Sequence, residues 1–592
     1  MAADVCGFDN RSNTAGFLLK LGLGDLFPEV VPMMIRPCLI LLGIGLFAGA
    51  GSTAIAAEFD IVIRHGRIVD GTGNPWFRGD VAITNGHITK LGQVAGKGDV
   101  EIDATDLVVA PGFIDIHSHS DLKLLQDGHA QSKIRQGVTT EILGEGNSAG
   151  PRKNQLSPRE FTVNGKTKSW STLGGYFDVI DEAGVSVNVA SYVGLNNLWR
   201  SVMGESFDAP TPEHIQAMKL LLDEAMQDGA LGLSSQVMMP PGSLATTSQL
   251  ADLCTVVAKH GGIYSSHIRN EGDGIFASVR EAIEVGRRSG VPVDIIHLKI
   301  ADQKFWGRMD EVVKLIEDAR TEGLNIQANV YPYTRGNNNL VSIIPPWAHE
   351  GGRQKLLERL RDQDTRSRLK RDIENGVTGW YNHYTAVGRD WSRMLVSANT
   401  SFRGLTMDRV MDFRTKGRKD ADLLDELFDL LLEEGGSVST VFAHHTEDDM
   451  NLALLQPWCS VGSDGSAYAV EGPLRIGNPH PRNFGTFPRV LGVYVRELGL
   501  LRLEDAVRKI TSLNAAKVGL HDRGILRVGM AADVTVFDPA TVLDQATYTV
   551  PFQYNKGIQH VIVNGQFVLK DTDHTGNKPG RALRFHSAVG AE

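Results

Sequence analysis

Short apolar runs alternate with helical stretches through the middle of this 592-residue chain. The nine runs begin near Phe113, Val138, Val187, Ala230, Ile263, Val293, Ile326, Val438 and Cys459. Such alternation is typical of βα units and predicts a parallel sheet, and eight such strands can close into a barrel. One run must then lie outside the barrel, and we assign that position to the run at Val438. The expected fold class is α/β, with a (β/α)8 TIM-like barrel.

Both ends of the barrel region are rich in β-strand patterns. Residues 58–112 alternate apolar and polar side chains and turn at Asn85-Gly86, a pair that suits the positive φ angles of a type I′ hairpin. Residues 521–592 repeat this texture, with a second hairpin at Asn564-Gly565. We expect these two segments to form one small β-domain. The barrel then spans residues 113–520, with a charged, helical insertion at about 334–436 that covers its mouth.

The chain begins with a leader, residues 1–57. Within it, residues 34–57 place Arg36 before an apolar run and end in small residues, MIRPCLILLGIGLFAGAGSTAIAA. This pattern predicts a secretory signal peptide that is cleaved after Ala56 or Ala57. The mature protein is therefore expected in the periplasm or outside the cell, with no membrane attachment after cleavage.

Charge and cysteine content restrict the function. The net charge is −10 and no basic cluster with interleaved aromatic residues occurs, so we expect no nucleic-acid partner. The four cysteines include no Cys-x-x-Cys pair of the kind that binds metal. Cys254 lies on an apolar helical stripe and Cys459 precedes a short strand, so both are expected to be structural. A disulfide between these two remains open.

Histidines lie where the predicted strands end. His117 and His119 in PGFIDIHSHSD are two residues apart, so they face the same side of a strand and can bind one cation. His267 and His297 each close a later apolar run, and Asp464 follows the last one. Four imidazoles at the active face of a barrel match the ligands that zinc prefers. The Asp464 carboxylate can bind the metal and also accept a proton from water.

At the level of whole motifs, the chain resembles the amidohydrolase superfamily and, within it, the N-acyl-D-amino-acid deacylase (D-aminoacylase) family. The resemblance covers about residues 58–590 and includes PGFIDIHSHSD, KIRQGVTTEILGEG, SSHIRNEGD, PVDIIHLK, NVYPYTRG, VGSDG and HPRNFGTFPRVLG. It implies a distorted (β/α)8 barrel with a β-sandwich built from both chain ends. It also implies an enzyme that uses one or two Zn²⁺ ions to hydrolyse the amide bond of an N-acyl-D-amino acid or a similar carboxylate-bearing substrate.

The resemblance also implies roles for individual residues. Asp464 becomes both a metal ligand and the general base, beside the four histidine ligands. Lys299 and Arg475 would hold the substrate carboxylate, together with Tyr331 or Tyr333. His480, in the loop after Asp464, would contact the substrate.

One departure from the family pattern concerns the metal site, and two others concern residues elsewhere. The family has a cysteine ligand after the second strand, whereas this chain reads EILGEGNSAGP. We expect Glu145 to replace that cysteine and to bridge two metals, in preference to Glu141, which lies inside the strand. Asn329 in NVYPY replaces a family aspartate, which indicates a changed substrate pocket. His444 and His445 in FAHHTEDDM are unusual for the family; they either line the mouth or cap a strand, and the second interpretation is favoured.

A further departure also concerns the substrate pocket, and three other functions are alternatives to the deacylase. Leu195 in GLNNLWR replaces a family histidine, which indicates a changed substrate pocket. A dipeptidase acting on D-residue or other small peptides is the main alternative enzyme. A dihydropyrimidinase-like enzyme is disfavoured, because its metal-bridging lysine is not evident. A binding protein on an inactive barrel is the non-enzyme alternative. The expected partner is a small-molecule substrate, and a homo-oligomer is compatible with the sequence.

Overall fold

The computed structural model describes residues 57–585 of the chain, and the expected signal peptide, apart from its last residue, Ala57, lies outside them. Two parallel sheets occupy the centre. The first has three strands, in the order Asn188–Ser191, Val138–Leu143 and Phe113–Asp115. The second has six strands, in the order Val193–Gly194, Gly232–Gln236, Ile263–His267, Val293–Ile295, Ile326–Val330 and Cys459–Val461.

The spatial order of these strands follows the chain, as expected for successive βα units. A lone parallel bridge between Ser118 and Gly465 connects the region after the first strand to the region after the last. Among residues 57–585, however, the hydrogen-bonded ladder does not close into one ring. The fold is therefore a mixed α/β fold whose parallel strands lie in two sheets, and the single closed barrel expected from the sequence is not formed by hydrogen-bonded strands of the described residues.

Helices connect the strands and pack against them. They span Lys123–Gln126, Gln131–Ile134, Leu173–Ala183, Leu195–Met203, Pro212–Gln227, Thr247–Lys259, Ile275–Ser289, Met309–Thr321, Gly352–Arg361, Gln363–Asn375, His383–Ala386, Met407–Thr415, Leu423–Glu433, Glu447–Leu455, Arg482–Arg489, Leu503–Ile510 and Ser512–Lys517, and a π-helix spans Val490–Glu497. Local sequence explains where one of these helices begins. Thr246 caps the helix Thr247–Lys259, because its side chain accepts from the Gln249 N–H while the Gln249 side chain returns to Thr246.

Strands from both ends of the described chain share one nine-stranded sheet. Eight follow the order Asp573–His574, Gln566–Lys570, Ile558–Val563, Val534–Phe537, Val108–Pro111, Phe59–Ile68, Phe77–Thr84 and His87–Gly92, and Gly98–Asp103 pairs beside Phe59–Ile68. The two expected hairpins occur here. Asn85 and Gly86 have φ of 50° and 77°, and Asn564 and Gly565 have 47° and 79°, the positive values that a type I′ turn requires.

The segment between Gly336 and Phe442 forms a separate layer of structure. Its three strands, Gly336–Asn339, Ser439–Phe442 and Met394–Val396, pair antiparallel. The run at Val438 therefore supplies a strand outside the parallel sheets, as expected. A buried apolar cluster of its own, which includes Phe428, holds this segment together.

Two further observations concern the cysteines and the membrane. Cys254 and Cys459 are both buried and free, so the disulfide left open by the sequence does not form. Within residues 57–585 we find no helix with the length and hydropathy needed to cross a bilayer.

Candidate metal centre and active site

Six potential metal ligands meet just beyond the carboxyl ends of the parallel strands. Parallel strands carry their carboxyl ends at one edge, so residues that follow different strands can converge there. The donor atoms of four residues lie within 4.8 Å of one another, and those of a second, overlapping group of three do the same. The first group is His117, His119, Glu145 and Asp464, and the second is Glu145, His267 and His297.

Glu145 belongs to both groups and lies between them. Its Oε2 is 2.9 Å from His117 Nε2 and 3.1 Å from His119 Nε2, while its Oε1 is 2.7 Å from His267 Nδ1. The two carboxylate oxygens therefore face different imidazoles, which is the arrangement that a bridging ligand needs. Glu141 lies elsewhere, because its fully buried side chain accepts from Ser118 Oγ at 2.5 Å.

The donor set fits a divalent cation such as zinc. His267 Nδ1 and His297 Nε2 face each other at 3.1 Å, so two ring nitrogens converge where a cation could accept their electron pairs. Burial and the nearby Lys299 ammonium lower the pKa of His297 to about 4, which keeps this ring neutral. Burial opposes ionisation of Glu145, but His117 and the other imidazoles hold its pKa well below the usual range. Neutral imidazoles and ionised carboxylates are the forms that bind metal.

Arg482 pairs with Asp464 and was not predicted from the sequence. Its Nη1 is 2.7 Å from Asp464 Oδ2, while Asp464 Oδ1 is 3.0 Å from His119 Nε2. Burial would raise the Asp464 pKa, but the Arg482 guanidinium and His117 hold it well below its usual range. Arg482 also lies 4.7 Å from the centre of the Tyr331 ring. The arginine thus fixes one oxygen of the carboxylate and leaves the other facing the histidines.

Glu271 is a second residue that the sequence did not single out. Its Oε1 is 2.5 Å from Lys299 Nζ and 3.0 Å from His297 Nδ1. Lys299 Nζ is itself 2.8 Å from His297 Nδ1. All three side chains are buried, so the Lys299 charge is balanced by Glu271 before any substrate binds. Glu271 follows His267 by four residues in SSHIRNEGD, and that spacing is the signal that could have found it.

The backbone is unusual at two of the candidate ligands. His297 has φ of 38° and Asp464 has φ of 50°, in the left-handed region that favours glycine. Asn329, which departs from the family pattern, supports the first of them. Its Oδ1 accepts from the His297 backbone N–H at 3.0 Å, and its Nδ2 donates to Asp294 Oδ2 at 2.7 Å.

A polar cavity opens onto this cluster. It is lined by Glu145, Gln236, His267, Glu271, His297, Lys299, Tyr331, Gly336, Asn337, Asn338, His383, His444 and Asp464. Tyr331 therefore reaches the cavity, whereas the Tyr333 hydroxyl lies 3.2 Å from Asp544 Oδ2, away from the lining. The structure thus separates the two tyrosines that the sequence left as alternatives. Leu195 is fully buried in the main apolar core.

Two other candidates have different surroundings from those expected. Arg475 does not reach the cavity, because it follows the turn Gly472–Leu474 to the surface, donates to Val470 O at 2.6 Å and lies over Phe552. His480 does not line it either. Its Nε2 donates to Arg335 O at 2.9 Å and its Nδ1 accepts from the Arg482 N–H at 3.0 Å, so it orders the turn that leads into Arg482.

His444 and His445 are both buried. The interpretation favoured from the sequence, a strand cap, does not describe His444, because this residue lines the cavity. His445 lies behind it, and its Nε2 donates to Tyr333 O at 2.7 Å. The segment between Gly336 and Phe442 also supplies His383, which the sequence did not indicate.

Comparison with known proteins places the chain in a family. A model described as "Amidohydrolase family" matches residues 100–569, so the chain belongs to the amidohydrolase family. It is 34% identical over 537 residues to the D-aminoacylase of Alcaligenes xylosoxydans xylosoxydans, and the alignment covers 90% of this chain and 99% of that protein. It is 33% identical over 535 residues to the N-acyl-D-glutamate deacylase of the same organism, with 90% and 98% covered.

A solved structure agrees with these relatives. The N-acyl-D-glutamate deacylase from Bordetella bronchiseptica, complexed with zinc and a phosphonate inhibitor that mimics the tetrahedral intermediate, superposes with a TM-score of 0.73. It is 30% identical, and the match covers 89% of this chain and 99% of that one. The family membership predicted from the motifs is confirmed.

Proposed function

We propose that this chain is a zinc-dependent hydrolase that cleaves the amide bond of N-acyl-D-amino acids. The observation that carries the proposal is the six-residue donor cluster, in which Glu145 lies between two sets of histidines. The relatives support the substrate class, because both curated relatives described above are deacylases of D-amino acids. The solved relative supports zinc.

The six residues would hold one or two zinc ions, with Glu145 bridging when two are present. Bound zinc supplies a Lewis acid that polarises the amide carbonyl and lowers the pKa of water. The protein supplies the orientation. Asn329 holds the backbone of His297, and Glu271 contacts the Nδ1 of the same ring, so the other nitrogen faces the cluster.

Asp464 would act as the general base. Arg482 holds its Oδ2, so Oδ1 is directed towards the histidines, where it can accept the proton of the attacking water. The same oxygen can then pass the proton to the nitrogen of the leaving amine. Because Arg482 keeps the pKa of Asp464 low, the carboxylate stays ionised over the whole neutral range.

Substrate positioning would depend on Lys299 and Tyr331. Both line the cavity, and the buried Tyr331 hydroxyl has no hydrogen-bond partner within residues 57–585. An ammonium and a phenol can together hold the substrate carboxylate by charge-assisted hydrogen bonds. Arg475 takes no part in this positioning, because its side chain lies at the surface against Val470 and Phe552.

The same proposal covers the architecture and the location of the enzyme. The two parallel sheets would form the wall of a distorted (β/α)8 barrel, spanning residues 113–520. The sheet built from both chain ends would belong to a β-sandwich domain, residues 58–112 and 521–592. Export through the leader would place the enzyme in the periplasm or outside the cell.

Release of amine by the zinc-loaded protein tests this proposal. Paired N-acetyl-D- and N-acetyl-L-amino acids and D- and L-dipeptides are the substrates, and the Asp464→Asn protein is the control. We expect turnover of the N-acetyl-D series that the control lacks. Turnover confined to dipeptides would assign the chain to the peptidases instead, and equal turnover by the control would contradict the role of Asp464.

A further inference from the structure

The carboxylate that belongs to both donor groups lies on a segment with little rigidity of its own. We call residues 144–151 the Glu145 loop. Gly144 and Gly146 flank Glu145 with φ of 93° and 60°, a conformation that costs glycine little. A backbone with a glycine on each side of the ligand can also adopt many other conformations. The position of the Glu145 carboxylate therefore depends on contacts from outside the loop.

Such contacts come from the helix Leu195–Met203. Asn197, in the first turn of this helix, directs its side-chain amide at the Glu145 loop. Its Oδ1 accepts from the Ser148 N–H at 3.0 Å, and its Nδ2 donates to Ser148 O at 2.9 Å and to Pro151 O at 3.0 Å. Asn197 is buried, so removal of its amide would leave these backbone groups of the loop unpaired.

The start of the same helix also attaches to the loop through its backbone. The Gly194 N–H donates to Ser148 Oγ at 2.9 Å, and the Asn196 N–H donates to Gly146 O at 2.9 Å. The two segments approach so closely that a Cβ at Gly194 would lie 2.6 Å from Gly146 O and 2.7 Å from Ser148 N. The helix therefore holds the loop at the residue that directly follows the ligand.

The helix is itself held by the main core. Leu195, Leu198 and Trp199 are buried in the same apolar cluster as residues of the parallel strands. Leu195 thus contributes to the site by fixing this helix, since it does not line the cavity. Side chains on a rigid element are held more precisely than side chains on a loop. Positional order therefore passes from the core, through Asn197, to Glu145.

We propose that Asn197 is a positioning residue for the metal centre, which fixes the Glu145 loop so that the two carboxylate oxygens face different histidines. Those oxygens lie 2.9 Å from His117 Nε2 and 2.7 Å from His267 Nδ1. Asn197 belongs to neither donor group and does not line the cavity, so it acts through the loop. This inference rests on the proposed function, because it takes Glu145 to be a metal ligand.

Zinc titration by calorimetry on a matched pair of variants tests the inference. Asn197→Ala releases the loop, and the zinc dissociation constant should rise about 10-fold, as for other residues that orient metal ligands. Asn196→Ala is the control, because Asn196 is also buried but its Oδ1 has no hydrogen-bond partner within residues 57–585. Its dissociation constant should stay at the wild-type value. An unchanged constant in Asn197→Ala, or an equal rise in both variants, would overturn the inference.

A double variant separates positioning from a general loosening of the fold. Glu145→Ala removes the group on which Asn197 acts, so the addition of Asn197→Ala should change the zinc dissociation constant by less than about 2-fold. Two independent effects would instead multiply, and the double variant would bind zinc about 10-fold more weakly than Glu145→Ala alone. That result would refute the inference, because it would show that Asn197 acts without Glu145.

Ser148→Ala tests the same attachment from the loop if Asn197→Ala does not fold. It removes the Oγ that accepts from the Gly194 N–H and leaves the sequence of the helix intact. The zinc dissociation constant should rise about 3-fold, as expected for one lost hydrogen bond. It should not rise further in the Glu145→Ala background. No rise in the otherwise wild-type protein would contradict the attachment and the inference with it.

The outcomes distinguish this inference from the proposed function. If Glu145→Ala binds zinc as the wild type does, the assignment of Glu145 as a ligand fails, and the inference fails with it. If Glu145→Ala weakens binding and Asn197→Ala does not, only the inference fails. Neither result depends on a substrate, so absence of turnover on N-acetyl-D-amino acids would contradict the substrate class alone.

Discussion

The metal-ligand cluster and the segment between Gly336 and Phe442 face the same cavity but are built in different ways. The cluster follows the ends of parallel strands, and its carboxylates are balanced by Arg482 and the imidazoles. The segment has its own buried apolar core and contributes Gly336, Asn337, Asn338 and His383 to the cavity lining. Burial lowers the pKa of His383 to about 3, so one region carries the charged groups of the site and the other carries neutral ones.

This difference separates two properties of an enzyme. Groups on strand ends are held by the main core, which suits the geometry that metal chemistry demands. Groups on a separate segment can change without disturbing those strands, which suits the selection of substrates. Changes in the cluster should therefore affect the metal and kcat, whereas changes in the segment between Gly336 and Phe442 should affect the choice among substrates.

The largest effect on catalysis is expected at Asp464, the proposed general base. Asp464→Asn keeps the size of the side chain but removes the group that accepts the proton, so kcat should fall by about 1,000-fold or more. Metal content, measured by elemental analysis, should stay at the wild-type level, because five of the six donors remain. Wild-type kcat in this variant would show that the cluster uses a different base.

Loss of the shared carboxylate should weaken metal binding most. Glu145→Ala removes the only residue that belongs to both donor groups, and the zinc dissociation constant should rise by about 100-fold. Glu281→Ala is the matched control, because Glu281 pairs with Arg269 outside the cluster. Zinc titration by calorimetry checks both. Unchanged metal binding and turnover in Glu145→Ala would exclude the bridging role.

A smaller and more specific effect is expected at Glu271. Glu271→Gln removes the carboxylate that orients His297, so kcat should fall by about 10-fold. KM should not rise, because Lys299 is released from its partner and becomes more available to the substrate carboxylate. The split between kcat and KM, with Glu281→Gln as control, distinguishes orientation from general destabilisation. An equal rise in KM would instead place Glu271 among the residues that bind substrate.

The smallest effect is expected at the arginine that lies outside both regions. Arg475→Ala should change kcat/KM by less than about 2-fold, because its side chain is exposed, donates to Val470 O and lies over Phe552, away from the cavity. Arg482→Ala should reduce it far more, through the loss of the Asp464 partner. Steady-state kinetics on one N-acetyl-D-amino acid compares the two. The reverse order would restore Arg475 to the site.

Local patterns predicted much of this molecule. Apolar runs and turn residues gave the strand order and both hairpins, because each depends on neighbours in sequence. The same reasoning predicted that the four histidines and Asp464 lie close together, because residues that follow parallel strands lie at one edge of the sheet. Glu145 could be proposed because the family pattern required a ligand at that position.

Apart from Glu271, the errors and omissions involve contacts that sequence spacing does not encode. Arg482 lies 18 residues after Asp464 in the sequence, yet the two side chains form an ion pair. His480 orders the turn that leads into Arg482, because its Nδ1 accepts from the Arg482 N–H. Arg475 is nearer in sequence but is turned outward. His383 lies far along the chain from the other residues that line the cavity, and it reaches the cavity through the packing of a separate segment. Such positions depend on tertiary structure alone.

The left-handed backbone at His297 and Asp464 has a consequence for stability. A residue other than glycine in that conformation costs about 1–3 kcal/mol, so two of the donors stand at positions where their own side chains weaken the fold. Glycine at either position would relieve that cost and would remove the donor with it. The scaffold therefore gives up some stability at two residues that the proposed chemistry needs.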